Sequence, residues 1–302
     1  MSVPYRVTNW SRYNSALIER GSLELWIAPS VLSQWQAKPL GKPGAPRLYS
    51  NLAIETVLTV RSLFRLPLRA TQGFVTSVFH LLKLPLTVPN YTTLSRRGGS
   101  LGVLLRKRSK KKTVVIVDSS GLKVFGAGEW RTARGTIKAK DWKKIHVAID
   151  ERGEIRAVEV TDNSEHDAAG ALTLLPQETA FVHTFIAYVA YDQRRVYTAT
   201  QSVPEVLIPP RIDAQFWSTR RKPHRRDYAV AHMRVLGKRL WKEFSGYHRR
   251  SRIEATMFRW KTTLGEKLHS REMGRQRTEV HIGANILNRF AHVGLPQTVP
   301  IT

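Results

Sequence analysis

A mixed α/β sheet domain preceded by a helical region is the fold class that the sequence predicts. The first observation behind this is a change of pattern at residue 113, where helical periodicity gives way to the β-branched run "TVVIVDSS". The second is the order of segments after that point: three strand-type segments, then a helix, a strand, a helix, a strand and a closing helix. The third is size. A chain of 302 residues with 42% hydrophobic content can bury one large core or two ordinary ones.

Residues 1–97 read as short helices. Ser50 is a plausible N-cap for "SNLAIETVLTVRSLF", in which Ile54, Val57, Leu58 and Arg61 recur at helical spacing. A second helix is predicted around 70–83, with Phe74, Val78, Leu81 and Leu82 on one side. The prolines of "KLPLTVPN" then force a turn, and "YTTLSRR" forms a short helix ending in Arg96 and Arg97. Helix, turn and short basic helix outline a helix-turn-helix, although a plain helical bundle fits the same pattern. Residues 98–112 read as a basic linker, since six of the seven residues 106–112 are Lys or Arg.

The later segments justify the sheet in turn. "KKIHVAID" and "EIRAVEVTD" are strands joined by the hairpin signal "ERG". "DAAGALTLL" is a helix for which Ser164, Asp162 or Asp167 would serve as cap. "TFIAYVAY" is a strand, "VYTATQS" starts a helix, and "EVLIPP" is a short strand stopped by two prolines. A strong helix runs from about 247. This order describes a ribonuclease-H-like sheet domain over 113–292, with a tail at 293–302.

Charge points to the partner. The chain carries 49 Lys and Arg against 23 Asp and Glu, a formal net charge of +26. A polyanion is the expected partner, with nucleic acid ahead of an anionic membrane surface. The chain has no cysteine, which excludes disulfides and thiolate metal sites. No apolar run is long enough to predict a membrane span, and "MSVPYRVTNW" has no signal-peptide core, so a cytoplasmic, nucleoid-associated protein is expected.

The segment "YHRRSRIEATMFRWK" carries the chemistry. Tyr247, Arg250, Glu254 and Lys261 lie at offsets that fall within about 60° on an α-helix. Ile253, Met257 and Trp260 form the adjacent apolar face. The simplest reading of Glu254 is an exposed ion pair; the sharper one is a metal ligand flanked by groups that bind phosphate. Asp118, at the end of the first strand, is its natural partner. Two carboxylates brought together call for a cation, and Mg²⁺ both takes oxygen ligands and bridges phosphate.

With these residues in place, the sequence resembles the DDE transposases of bacterial insertion sequences, specifically the insertion-sequence five family. Blocks such as "LRATQGFVTSVFHLLKLPLTVPNYTTLSRR", "VDSSGLKVFGAGEW" and "KKIHVAIDERGEIRAVEVTDN" carry the likeness, and Tyr247, Arg250, Glu254 and Lys261 match its Y-R-E-K signature. The resemblance implies that Asp118 and Glu254 are catalytic acids holding Mg²⁺, with Mn²⁺ as a substitute. It further implies that Tyr247, Arg250 and Lys261 hold double-stranded DNA near the site, while Arg96 and Arg97 are expected to contact DNA from the helix-turn-helix outline. The implied partners are terminal inverted repeats and target DNA, and the protein is expected to act on them as a homo-oligomer. A loop with Gly126, Gly128, Glu129 and Trp130 is shared with the family.

One position departs from the family pattern. The family strand ends D-G-A-Y-D, the first Asp being catalytic, whereas this chain reads "YVAYD". Tyr188 stands at the acid's place, Val189 replaces the glycine, and Asp192 matches the trailing Asp. A neutral phenol is a poor Mg²⁺ ligand. Impaired cleavage is therefore expected, with Asp192 as the candidate substitute acid and a DNA-binding relative without catalysis as the alternative function. A structure-selective nuclease on the same fold fits the Y-R-E-K face less well.

Overall fold

A computed structural model describes residues 5–39, 46–105, 113–124, 142–175, 182–218 and 221–301. The loop residues Gly126, Gly128, Glu129 and Trp130 and the basic run 106–112 lie outside the described residues. The strands are β1 (Tyr5–Val7), β2 (Thr113–Val124), β3 (Trp142–Ile149), β4 (Ile155–Asp162), β5 (Val182–Ala187), β6 (Glu205–Leu207), β7 (Lys267–Leu268) and β8 (Thr298–Pro300). The helices are α1 (Trp10–Glu19), α2 (Pro29–Leu32), α3 (Asn51–Phe64), α4 (Leu68–Leu81), α5 (Tyr91–Gly98), α6 (Asp167–Leu174), α7 (Arg194–Ala199), α8 (Arg225–Phe244), α9 (Ser251–Leu264) and α10 (Met273–Val293).

The chain forms two compact units, residues 1–104 with 272–302 and residues 105–271. The first unit is helical. Ser50 caps α3 as expected, its hydroxyl accepting from the Ala53 amide at 3.0 Å. Asn90 does the same for α5 through Thr93 at 2.8 Å. α3 buries Ala53, Ile54, Val57, Leu58 and Val60.

Four expectations for this region are corrected. The closing helix α10 does not belong to the sheet domain: it packs on α3 and α5 and buries Val280, Ile282, Ala284, Ile286 and Leu287. An apolar stripe states that a helix needs a partner but not which partner. The tail is not free, because β8 pairs antiparallel with β1. Leu101 and Val103 are buried, so the expected linker does not begin at 98. α4 buries Thr71, Val75 and Phe79, while Leu81 and Leu82 are exposed. The ring of Phe79 sits 5.0 Å from that of Trp35, which fixes the rotation of the helix.

The second unit is built on a sheet of order β4-β3-β2-β5-β6, with β7 beside the far end of β2. β2, β3 and β4 are antiparallel; β5 and β6 run parallel to β2. Three antiparallel strands followed by two parallel ones form the expected ribonuclease-H-like arrangement. The β3–β4 hairpin closes through Gly153 at φ +78°, and the Asp150 carboxylate accepts from the amides of Arg152 and Glu154. Val115, Val117, Phe185 and Ala187 meet Ala168, Ala171 and Leu174 of α6 and Val196 of α7 in one core.

The neighbourhood of Asp118 departs from expectation in two ways. β2 continues to Val124, so Asp118 lies within the strand rather than at its end. Neither Asp162 nor Asp167 caps α6: His166 holds the cap position, Asp162 ends β4 paired with Lys143, and Asp167 meets Lys144 at 3.2 Å.

Gly170 of α6 lies against the buried imidazole of His146, and a Cβ built there falls 2.2–2.4 Å from the ring. Gly170→Ala would ordinarily favour a helix. Here overpacking should instead destabilise the protein by about 1–3 kcal/mol in urea unfolding. A gain in stability would show that His146 yields freely.

Candidate functional site

The parallel register places the site. Val117 of β2 pairs with Ala187 of β5, so the next residues along the two chains are Asp118 and Tyr188. Tyr188 follows the strand in extended conformation and starts a 3₁₀ turn over Val189–Tyr191. β2 supplies the acid from one strand, and the neighbouring chain end supplies a phenol. Val189 does not strain the backbone, since only Arg65 and Lys83 have positive φ among the described non-glycine residues.

α9 delivers the second acid. Ile253 and Trp260 are buried and Met257 is half-buried, so the helix is anchored by the face expected to anchor it. Glu254 lies in its first turn, where the helix dipole favours a carboxylate. Residues 247–250 form a separate 3₁₀ turn before α9, which breaks the expected shared helix face. Tyr247 is consequently buried, its ring 5.4 Å from Trp241, and its hydroxyl has no hydrogen-bond partner among the described residues. Burial raises its pKa above the ordinary phenol value.

Arg250 joins these parts. Its Nη1 donates to Asp118 Oδ2 at 3.2 Å, and its Nη2 donates to Glu254 Oε1. The guanidinium also lies 5.2 Å from the centre of the Tyr188 ring. Asp118, Tyr188, Arg250 and Glu254 are thus brought together, and Asp118 and Glu254 face a shared cation. Burial pushes the Asp118 carboxyl above its usual range, aided by the like charges of Asp167 and Glu254, despite the Ser119 amide and Arg250. Loss of hydration is the largest of these effects and outweighs the attraction of Arg250.

The remaining candidates lie elsewhere. Lys261 sits half-buried in the last turn of α9. In the first unit Arg96 is exposed, while Arg97 donates to the Tyr49 carbonyl at 3.0 Å and to Asn51 Oδ1 at 2.6 Å, fastening the start of α3.

Asp192 is locked away from this group. Its two oxygens accept from Nε and Nη2 of Arg226 at 2.6 and 2.8 Å, and the two side chains are only 1% and 4% exposed. The guanidinium of Arg226 lies 4.2 Å from the centre of the Trp217 ring. Sequence reading missed this pair because its members are 34 residues apart. The only hint is the "RRD" that opens α8, where Arg226 and Asp227 are both buried.

A metal demands more than the site provides. Among the described residues there is no group of three His, Asp or Glu side chains placed to hold one. Asp118 and Glu254 both bond Arg250, and the β5 position offers a phenol. The donor set does not fit a two-metal site.

Two outcomes follow for solution measurements. Asp118 has a raised folded-state pKa, so its ionisation opposes folding above that pKa and the penalty is absent at low pH. Asp118→Asn should therefore raise Tm at pH 7.5, and the gain should shrink as pH falls towards 4. A lower Tm at pH 7.5 would mean that the Arg250 contact outweighs burial. Asp192→Asn leaves the buried Arg226 charge unpaired and should cost about 3–5 kcal/mol in denaturant unfolding; a near-neutral effect would show the pair to be dispensable.

Comparison with known proteins agrees with this geometry. Two family models, each described as a transposase DDE domain, match residues 18–127 and 109–289. A solved structure of the piggyBac transposase synaptic complex with hairpin DNA aligns with 10% identity and a TM-score of 0.45, covering 96% of this chain and 78% of that one. No helix among the described residues is long and apolar enough to cross a membrane. Matched over more than half its length by a single DDE-domain model, the chain belongs to the DDE transposase family.

Proposed function

We propose that the chain is an insertion-sequence transposase, of the insertion-sequence five type, that binds the inverted-repeat ends of its element and cleaves them poorly or not at all. The observation that carries this reading is the register Val117–Ala187, beyond which Tyr188 takes the place beside Asp118 where a third carboxylate is needed. Mg²⁺ in such sites activates the attacking oxygen and stabilises the leaving one. The donor set here does not fit that arrangement, so no cleavage step is assigned to it. Asp192 does not replace the missing acid in this reading, because Arg226 occupies both its oxygens.

DNA binding is the activity that remains. The net charge of +26 supports it, as do the exposed Arg96 and the half-buried Lys261. A homo-oligomer holding two element ends is the form we propose for the DNA-bound protein. The Tyr188 substitution also favours the related reading of an inert relative that occupies element ends.

The experiment is a nicking assay on DNA carrying the element's inverted repeats, with Mg²⁺ or Mn²⁺. The native chain should shift this DNA but nick it at background rate. Tyr188→Asp should restore metal-dependent nicking by orders of magnitude, since the chemistry depends on the lost geometry. Robust nicking by the native chain, lost in Glu254→Gln, would contradict the proposal.

A further inference from the structure

We propose that Asp192, Arg226 and Arg225 form a latch that seats a phosphate-binding cavity over Tyr188, making Asp192 a positioning residue for DNA rather than a catalytic acid. The inference rests on the reading that this chain grips DNA, and it adds which surface does so and what holds that surface in place.

The latch fixes the start of α8 to both ends of the β5–β6 crossover. Arg226 bonds Asp192, which follows the 3₁₀ turn that Tyr188 begins, and also donates to the Gln215 carbonyl at 2.7 Å. Arg225 donates to the carbonyls of Thr200 at 3.0 Å, Val203, and Pro204 at 3.0 Å, just before β6. Asp227 accepts from the Trp217 amide at 2.8 Å and the Ser218 hydroxyl at 2.5 Å, pinning the segment that leads into the helix. Three successive residues thus tie the start of α8 to three places: the turn after β5, the approach to β6, and the segment that leads into the helix.

The far part of α8 carries the cations. The helix breaks at Gly237, φ +76°, and Lys238 and Lys242 then line a cavity of about 640 Å³ together with Arg211, Arg250, Tyr188 and Tyr247. Four cations face one acid, Asp213, in this lining. Among the described residues neither Arg211, Lys238 nor Lys242 pairs with a carboxylate. Arg250 is already paired with Asp118 and Glu254, but Arg211, Lys238 and Lys242 outnumber Asp213, and cations in excess repel one another unless an anion lies between them. The buried Pro209 and Pro210 give the cavity a stiff floor beside Arg211. The anion that fits a cationic cleft opening beside the acids of a DNA-processing fold is the DNA backbone.

The test measures affinity for end DNA across a range of NaCl. Each phosphate that the protein no longer neutralises should lower the slope of log K against log salt by about 0.9. The paired change Lys238→Ala/Lys242→Ala should lower the slope accordingly, Asp192→Asn should lower it by a similar amount, and combining them should add little. Arg225→Gln removes bonds to carbonyls without leaving a buried charge unpaired, and serves if Asp192→Asn fails to fold. Affinities are referred to the folded fraction measured at each NaCl concentration, so a purely structural role would leave the slope intact. An unchanged slope in the lysine pair would overturn the cavity. A lowered slope there with a native slope in Asp192→Asn and Arg225→Gln would overturn the latch. Absence of salt-dependent binding by the native chain would instead contradict the DNA reading as a whole.

Discussion

The guanidinium of Arg250 is the point on which the second unit's site converges. It bonds Asp118 from β2 and Glu254 from α9 and covers the Tyr188 ring at the end of β5. Two carboxylates about 4 Å apart repel by roughly 4 kcal/mol at the effective dielectric of a protein surface. A cation must lie between them, and in this chain the protein supplies its own. Because Arg250 immediately precedes the first turn of α9, the same interaction also fixes where that helix begins relative to the sheet.

The two residues that compete for the role of missing acid have opposite environments. Tyr188 stands at the right register, exposed beside the cation, but has no carboxylate. Asp192 has the carboxylate, but it is buried and fully engaged by Arg226. A buried ion pair contributes little net stability compared with apolar packing, yet breaking one is costly. Such a pair resists recruitment to a metal, because moving Asp192 would strand Arg226 beneath Trp217. The four-residue spacing between Tyr188 and Asp192 therefore separates chemistry from architecture.

Much of this was legible in the sequence. The Glu-Arg-Gly hairpin and the Ser50 cap act through local rules and appear where those rules place them, and the β-branched runs mark β2 and β5, although β5 ends at Ala187 and the rest of "TFIAYVAY" turns away as a 3₁₀ segment. The apolar face of α9 was legible too, because Ile253 and Trp260 are spaced for one side of a helix. What the sequence concealed is nonlocal. Nothing in the stripe of α10 says that it packs on α3 instead of the sheet. The 3₁₀ turn at 247–250 rotates Tyr247 into the interior, a change that ideal helical spacing does not register. The Asp192–Arg226 pair joins positions across a strand, a helix and a long segment. The extension of β2 past Asp118 was hidden because the β-branched run stops there, although β3 pairs with Ser119, Ser120 and Gly121.

The most direct test of the central claim, that Arg250 and Tyr188 leave no metal site at the acids, is Mn²⁺ binding followed by electron paramagnetic resonance, comparing the native chain with Tyr188→Asp, each bound to end DNA. The expected result is that Tyr188→Asp takes up Mn²⁺ at concentrations where the native chain leaves the ion free in solution. Tight Mn²⁺ binding by the native chain, lost on Asp118→Asn, would contradict it.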